Sequence, residues 1–112
     1  MLIQIVNAVV SAGTVIAALI AMRRPASMSG SPQPDMGEVF YSRMYAARAI
    51  PLGIAAGLLP FTGSGVPVRI ILLAAATAQV GDAAIGLQRG ERAMVASAFM
   101  AALVHIATAC LL

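Results

Sequence analysis

Four stretches of about twenty apolar residues, over 2–22, 38–59, 67–87 and 93–112, take up most of this 112-residue chain. Nothing else in the sequence constrains the fold as strongly. A helix needs about 20 apolar residues to cross hydrocarbon, against about 9–11 for a barrel strand. Backbone polar groups in lipid must also be paired internally, which leaves helices or closed barrels as spanning structures. Runs of this length predict an all-α, integral membrane four-helix bundle, with residues 1–112 as one transmembrane domain. Composition supports the choice of solvent: the chain is 61% hydrophobic and 10% charged, whereas soluble domains carry roughly 25% charged residues. With so few charges to face water, the expected partner around most of the surface is the lipid bilayer.

The charges that exist give a direction. The net charge of +3 comes from seven arginines, no lysines and four acids. Arg23 and Arg24 follow the first run, Arg89 and Arg92 flank the third connection, and the second connection has no arginine before Arg69. Cytoplasmic loops are enriched in positive residues. The expectation is therefore a multi-pass protein of the cell inner (plasma) membrane with both termini outside. A cleaved signal peptide carries its positive charge before the apolar core; here it comes after, so the first run reads as a span. Because the arginines sit beside apolar runs instead of forming a patch, no nucleic-acid partner is expected.

The connections are readable by composition. "RRPASMSGSPQPDMG" reads as an irregular loop, "PFTGSGVP" as a tight turn with Pro67 in the first turn of a helix, and "QRGER" as a short charged turn around Gly90. Asp35 and Glu38 have the spacing of a capping box. The single cysteine, Cys110, excludes an internal disulfide and reads as a small buried hydrophobe. Neither a metal-ligand cluster nor a glycine-rich phosphate loop is visible, so no metal and no cofactor is expected.

Polar residues inside the spans fall on stripes at heptad spacing. The first span gives Gln4, Asn7, Ser11 and Thr14; the second Glu38, Tyr41, Tyr45 and Arg48; the third Gln79 and Asp82; the fourth Ser97, His105 and Thr108. Four inward stripes predict a polar-lined interior. At about 1.5 Å per residue, Asp82, Tyr45 and Thr14 come out at roughly 9–12 Å from the cytoplasmic helix ends. Gln79, Arg48 and Ser11 come out at roughly 13–17 Å, with His105 slightly deeper. Arg48 and Asp82 are thus expected to meet, with Tyr45 and Gln79 beside them and His105 above. Pro51 removes an N–H and frees the carbonyl of Ala47 next to Arg48.

Ionisable groups at membrane depth are expensive and point to function. Asp82, Arg48, His105, Tyr45 and Glu38 form the candidate catalytic set, with Asn7, Ser11, Tyr41 and Gln79 as candidate substrate-binding residues. Each has a structural alternative: capping for Glu38, interfacial anchoring for Tyr41, interhelical hydrogen bonding for the first-span stripe, and a register-fixing ion pair for Arg48 and Asp82. "GIAAGLL", with Gly53 and Gly57, reads as a close-packing surface.

The order "YAARAIPLG", "QVGDAAIGLQRGE", "ALVHIATA" resembles a family of small four-helix, loosely DoxX-like membrane proteins of unknown function, over about residues 38–112. Arg48 and Gly53, then Asp82 and Ala83, then His105 match the arginine, glycine, Asp-Ala and histidine positions of that pattern. The resemblance implies a multi-pass bundle. By analogy, some small membrane proteins of this general kind act as hydrolases or cyclases on lipophilic epoxides. A carboxylate held by an arginine, beside a tyrosine and groups that position water, suits general acid–base opening of an epoxide. Soluble limonene-type epoxide hydrolases are similar in the type of residues they use. The reading is an enzyme acting on a lipophilic small-molecule substrate. The alternatives are a small proton-coupled transporter and a non-catalytic membrane accessory subunit. A homodimer is compatible with the length.

Overall fold

The computed structural model describes residues 1–29 and 31–112. Helix α1 is Leu2–Arg23, a single turn α2 is Ala26–Ser29, α3 is Met36–Leu58, α4 is Val66–Arg89 and α5 is Arg92–Leu111, with a 3-10 turn at Leu59–Phe61. The described residues contain no strand. Four of the helices, α1, α3, α4 and α5, are long and apolar enough to cross a membrane. The expected all-α four-helix bundle is the fold. Its long dimension of 44 Å exceeds the hydrocarbon thickness of about 30 Å, so helix ends reach the headgroup region.

The predicted helix starts hold and have identifiable causes. The Asp35 carboxylate accepts from the Glu38 N–H at 2.8 Å while the Glu38 carboxylate accepts from the Asp35 N–H at 2.7 Å. That reciprocal cap starts α3. Helix α4 starts after Gly65 with Pro67 in its first turn, where the missing N–H costs nothing. It ends at Gly90, whose φ of 72° lets Glu91 N–H reach back to the Gly86 carbonyl at 2.9 Å, a Schellman closure that turns the chain into α5. One expectation needs correction: the loop read as irregular contains the α2 turn, and a four-residue helix has no periodicity by which to be seen. That reading also covers Gly30, which lies outside the described residues.

Packing inverts the soluble pattern. Ala18, Ala46, Ala56, Ala76 and Ala102 are buried, whereas Val9, Ile16, Phe99 and Leu111 face outward. Between helices in lipid, association relies on close van der Waals approach, which small residues permit. Among the described residues, Leu72 and Val68 are the larger aliphatic side chains buried in this interior. On α3 the tightest contact is with α1: a Cβ on Gly53 would lie 2.7 Å from Val15 Cγ2, and one on Gly57 3.1 Å from Ser11 Cβ. The bundle consists of two closely packed pairs, α1 with α3 and α4 with α5, joined through α1–α5 and a sparser α3–α4 seam.

The expected polar-lined interior forms in part: Asn7, Ser11, Gln79, His105 and Thr108 of the α1, α4 and α5 stripes are buried, whereas Ser97 is exposed and the α3 stripe does not turn inward. The buried face of α3 is Ser42, Ala46, Ala49, Gly53, Ala56 and Gly57, and the Glu38–Tyr41–Tyr45–Arg48 stripe lies on its flank. Small side chains win the interface because they allow the backbones to approach; longer ones are displaced to its edge. Cys110 also departs from expectation: it is exposed, and its neighbour Ala109 takes the buried position.

Candidate functional site

Two separate polar networks occupy the bundle. The first lies at the α3–α4 seam. Arg48 Nη2 donates to Asp82 Oδ1 at 2.8 Å, so the expected partner of the mid-span arginine is found. Arg48 stands about 18 Å along α3 from its first residue, and Asp82 about 10 Å from the last residue of α4. Their contact brings these levels together and leaves the start of α3 projecting beyond the end of α4. The guanidinium carbon also lies 5.7 Å from the centre of the Tyr45 ring, within cation–π range. Gln79 Nε2 donates to Thr14 Oγ1 at 3.3 Å, and Thr14 in turn donates to the Val10 carbonyl.

Thr14, Arg48, Ala49, Leu52, Gln79 and Asp82 are among the residues lining a crevice of about 20 Å³ at this seam. That is room for about one water, with polar partners to hold it. The crevice is not enclosed. The Arg48 side chain is 43% exposed and that of Asp82 18%, so the ion pair opens sideways to the surroundings of the bundle.

The second network joins α1, α3 and α5. Pro60 has no N–H to give to the Ala56 carbonyl four residues back. Asn7 Nδ2 supplies it instead, at 2.7 Å, and Gln4 Nε2 donates to the Pro60 carbonyl at 2.8 Å. Asn7 Oδ1 is then the acceptor for His105 Nδ1 at 2.7 Å. This fixes the proton on Nδ1, because an amide oxygen cannot donate. Asn7 and His105 are both buried.

His105 therefore belongs to the Asn7 network and makes no hydrogen bond to the Arg48–Asp82 pair. Its partner Asn7 is seven residues from Thr14 on α1, about 10 Å along the axis. The other expected site residues divide in the same way. Gln79 lines the crevice, and Tyr45 meets it only through the Arg48 guanidinium. Glu38 is engaged in the α3 cap, ten residues and about 15 Å from Arg48. Tyr41 is exposed and packs edge-on against Phe40 with ring centres 6.0 Å apart. Ser11 is buried against the Gly53–Gly57 surface, and among the described buried side-chain polar atoms its Oγ is the one without a hydrogen bond. Thr14 and Gln4 are participants that the candidate set omitted; their place on the Asn7 stripe was the available signal.

Compared with known proteins, the chain matches no family model, no curated sequence and no solved structure. Among the described residues, no three His, Cys, Asp or Glu side chains converge as metal ligands.

Proposed function

We propose that this chain is a membrane-embedded catalyst that opens a lipophilic epoxide by general acid–base chemistry at the α3–α4 seam. The observation that carries the reading is the Arg48–Asp82 pair at a water-sized crevice open to the side. A lipophilic substrate is concentrated in the bilayer and reaches such a seam laterally. Arg48 occupies Asp82 Oδ1, which leaves Oδ2 to take a proton from a water held by Gln79 and Thr14. The water oxygen bonds to an epoxide carbon as the carbon–oxygen bond breaks. Tyr45 gives its phenolic proton to the departing oxygen and recovers one from Asp82 through solvent. Epoxide and water become a vicinal diol, and an internal hydroxyl in place of water would give a cyclic ether. Kinship with the small DoxX-like proteins belongs to this proposal. So does an inner-membrane orientation with both termini outside, supported by Arg23, Arg24, Arg89 and Arg92 at one end of the bundle.

The narrowness of the crevice favours a second reading, a non-catalytic accessory subunit in which Arg48 and Asp82 only fix helix register. Diol formation from a lipophilic epoxide in vesicles separates the two. Asp82→Asn and Arg48→Ala should each lower turnover by about 10²–10⁴-fold with membrane insertion intact. Full activity in both variants would remove the catalytic reading.

A further inference from the structure

We infer that a second copy of this chain covers the α3–α4 seam, and that across the two-fold axis each Arg48 also reaches the other copy's Asp82. The starting point is a mismatch between charge and surroundings. Charged side chains within a span almost always face the bundle interior or a watery cavity. Here the guanidinium is 43% exposed, and the crevice behind it holds about one water. Its remaining N–H groups and Asp82 Oδ2 have no hydrogen-bond partner among the described residues. Something else must satisfy them.

The chemistry of the face selects the occupant. A phospholipid headgroup lies at the membrane surface, many ångströms from this level, and Asp82 would repel its phosphate. A basic segment would be repelled by Arg48. A surface with both signs side by side is complementary to itself, which is the requirement of an isologous interface. Depth adds a second condition. Two copies insert in the same orientation, so their two-fold axis runs along the membrane normal and preserves depth. Only groups at equal depth can then pair between copies, and Arg48 and Asp82 share a level because they already touch. The adjoining surface of α4 permits approach: a Cβ on Gly81, next to Asp82, would meet nothing within 4 Å.

Two seams facing each other would also enclose a larger space lined by two Asp82 carboxylates, which one copy lacks. That last point rests on the catalytic reading above; the pairing itself does not.

The test is co-expression in lipid nanodiscs of two differently tagged variants, Arg48→Ala and Asp82→Ala, both carrying Cys110→Ser and a single cysteine at Gly81, Thr77 or Ala74. Neither variant has the pair within its own chain, and a homodimer of either lacks one sign. The mixed dimer restores one Arg48–Asp82 contact between copies. The expected result is disulfide-linked or reagent-bridged mixed dimers well above random mixing. The parent chain should cross-link from these α4 positions and not from Leu103 or Ile106 on α5. If both single variants fail to fold, the parent cysteine scan still decides. Random mixing of folded variants, monomers by mass, or equal cross-linking from α5 overturns the inference. A dimer without turnover would overturn the catalytic reading alone.

Discussion

The Asn7 amide is the most informative position to perturb, because its role is defined by an atom that Pro60 does not have. The Ala56 carbonyl points to where the N–H of residue 60 would be in a continuing helix, and Asn7 Nδ2 fills that place at 2.7 Å. Asn7→Ala removes this bond and the one to His105 Nδ1. Interhelical hydrogen bonds within membranes contribute about 0.6–1.7 kcal/mol each, and an orphaned buried acceptor costs roughly 1–3 kcal/mol. The variant should lose about 2–4 kcal/mol of stability. Pro60→Ala returns an N–H to the chain. In the parent it adds little, since the carbonyl is already satisfied; in Asn7→Ala it should recover about 1 kcal/mol. Any effect of proline on the unfolded ensemble is common to both backgrounds and cancels in the cycle. Equilibrium unfolding in mixed micelles, followed by circular dichroism, measures all four corners. Additivity within about 0.5 kcal/mol would refute the idea that Asn7 stands in for the missing donor.

Four further outcomes follow from the packing, the α3 cap and the distribution of arginines. Gly53→Ala drives a methyl to 2.7 Å from Val15 Cγ2 and should cost about 1–3 kcal/mol; Gly13→Ala meets nothing within 4 Å and should be neutral or stabilising by up to about 1 kcal/mol, both read by the same unfolding assay. Glu38→Gln keeps the α3 cap, since glutamine serves in a capping box, and should leave epoxide turnover unchanged; loss of turnover would give Glu38 a chemical role that its 15 Å offset (about ten residues of helix) argues against. In intact cells, with the exposed Cys110 replaced by serine, a membrane-impermeant maleimide should label Ser64→Cys, in the connection between α3 and α4, and spare Ser31→Cys; the reverse pattern would invert the orientation.

Much of the fold is legible in the sequence because spans are written in composition: four apolar runs separated by Pro, Gly and Arg cannot be arranged in many ways in lipid. The Asp35–Glu38 cap, Pro67 and Gly90 are readable because each supplies a specific backbone need. The Arg48–Asp82 contact is legible from counting residues from the helix ends, since few charges exist and the counted depths are close enough for a long arginine side chain to bridge. What heptad spacing could not decide is which edge of a stripe turns inward. Ser42, Ala46 and Ala49 take the interface on α3 because they are small, and Tyr41 and Arg48 are left beside it. The split of His105 from the Arg48 site depends on Pro60, whose missing N–H leaves the Ala56 carbonyl to draw Asn7 toward α3 and α5. That is a three-helix effect without a signature in any one span.

The Asn7–His105 contact also has a temporal side. Ribosomal synthesis delivers α1 first and α5 last, so the amide waits while 98 positions of chain separate it from its imidazole partner. Its other bond, to the α3 end, can close as soon as the first hairpin is inserted. Assembly in the bilayer thus has a natural order: an early latch between α1 and α3, then a later clasp when α5 leaves the translocon. A nascent chain stopped before residue 105 would hold the early latch with an unclaimed amide oxygen, a visible mark of an unfinished protein to whatever machinery surveys the membrane.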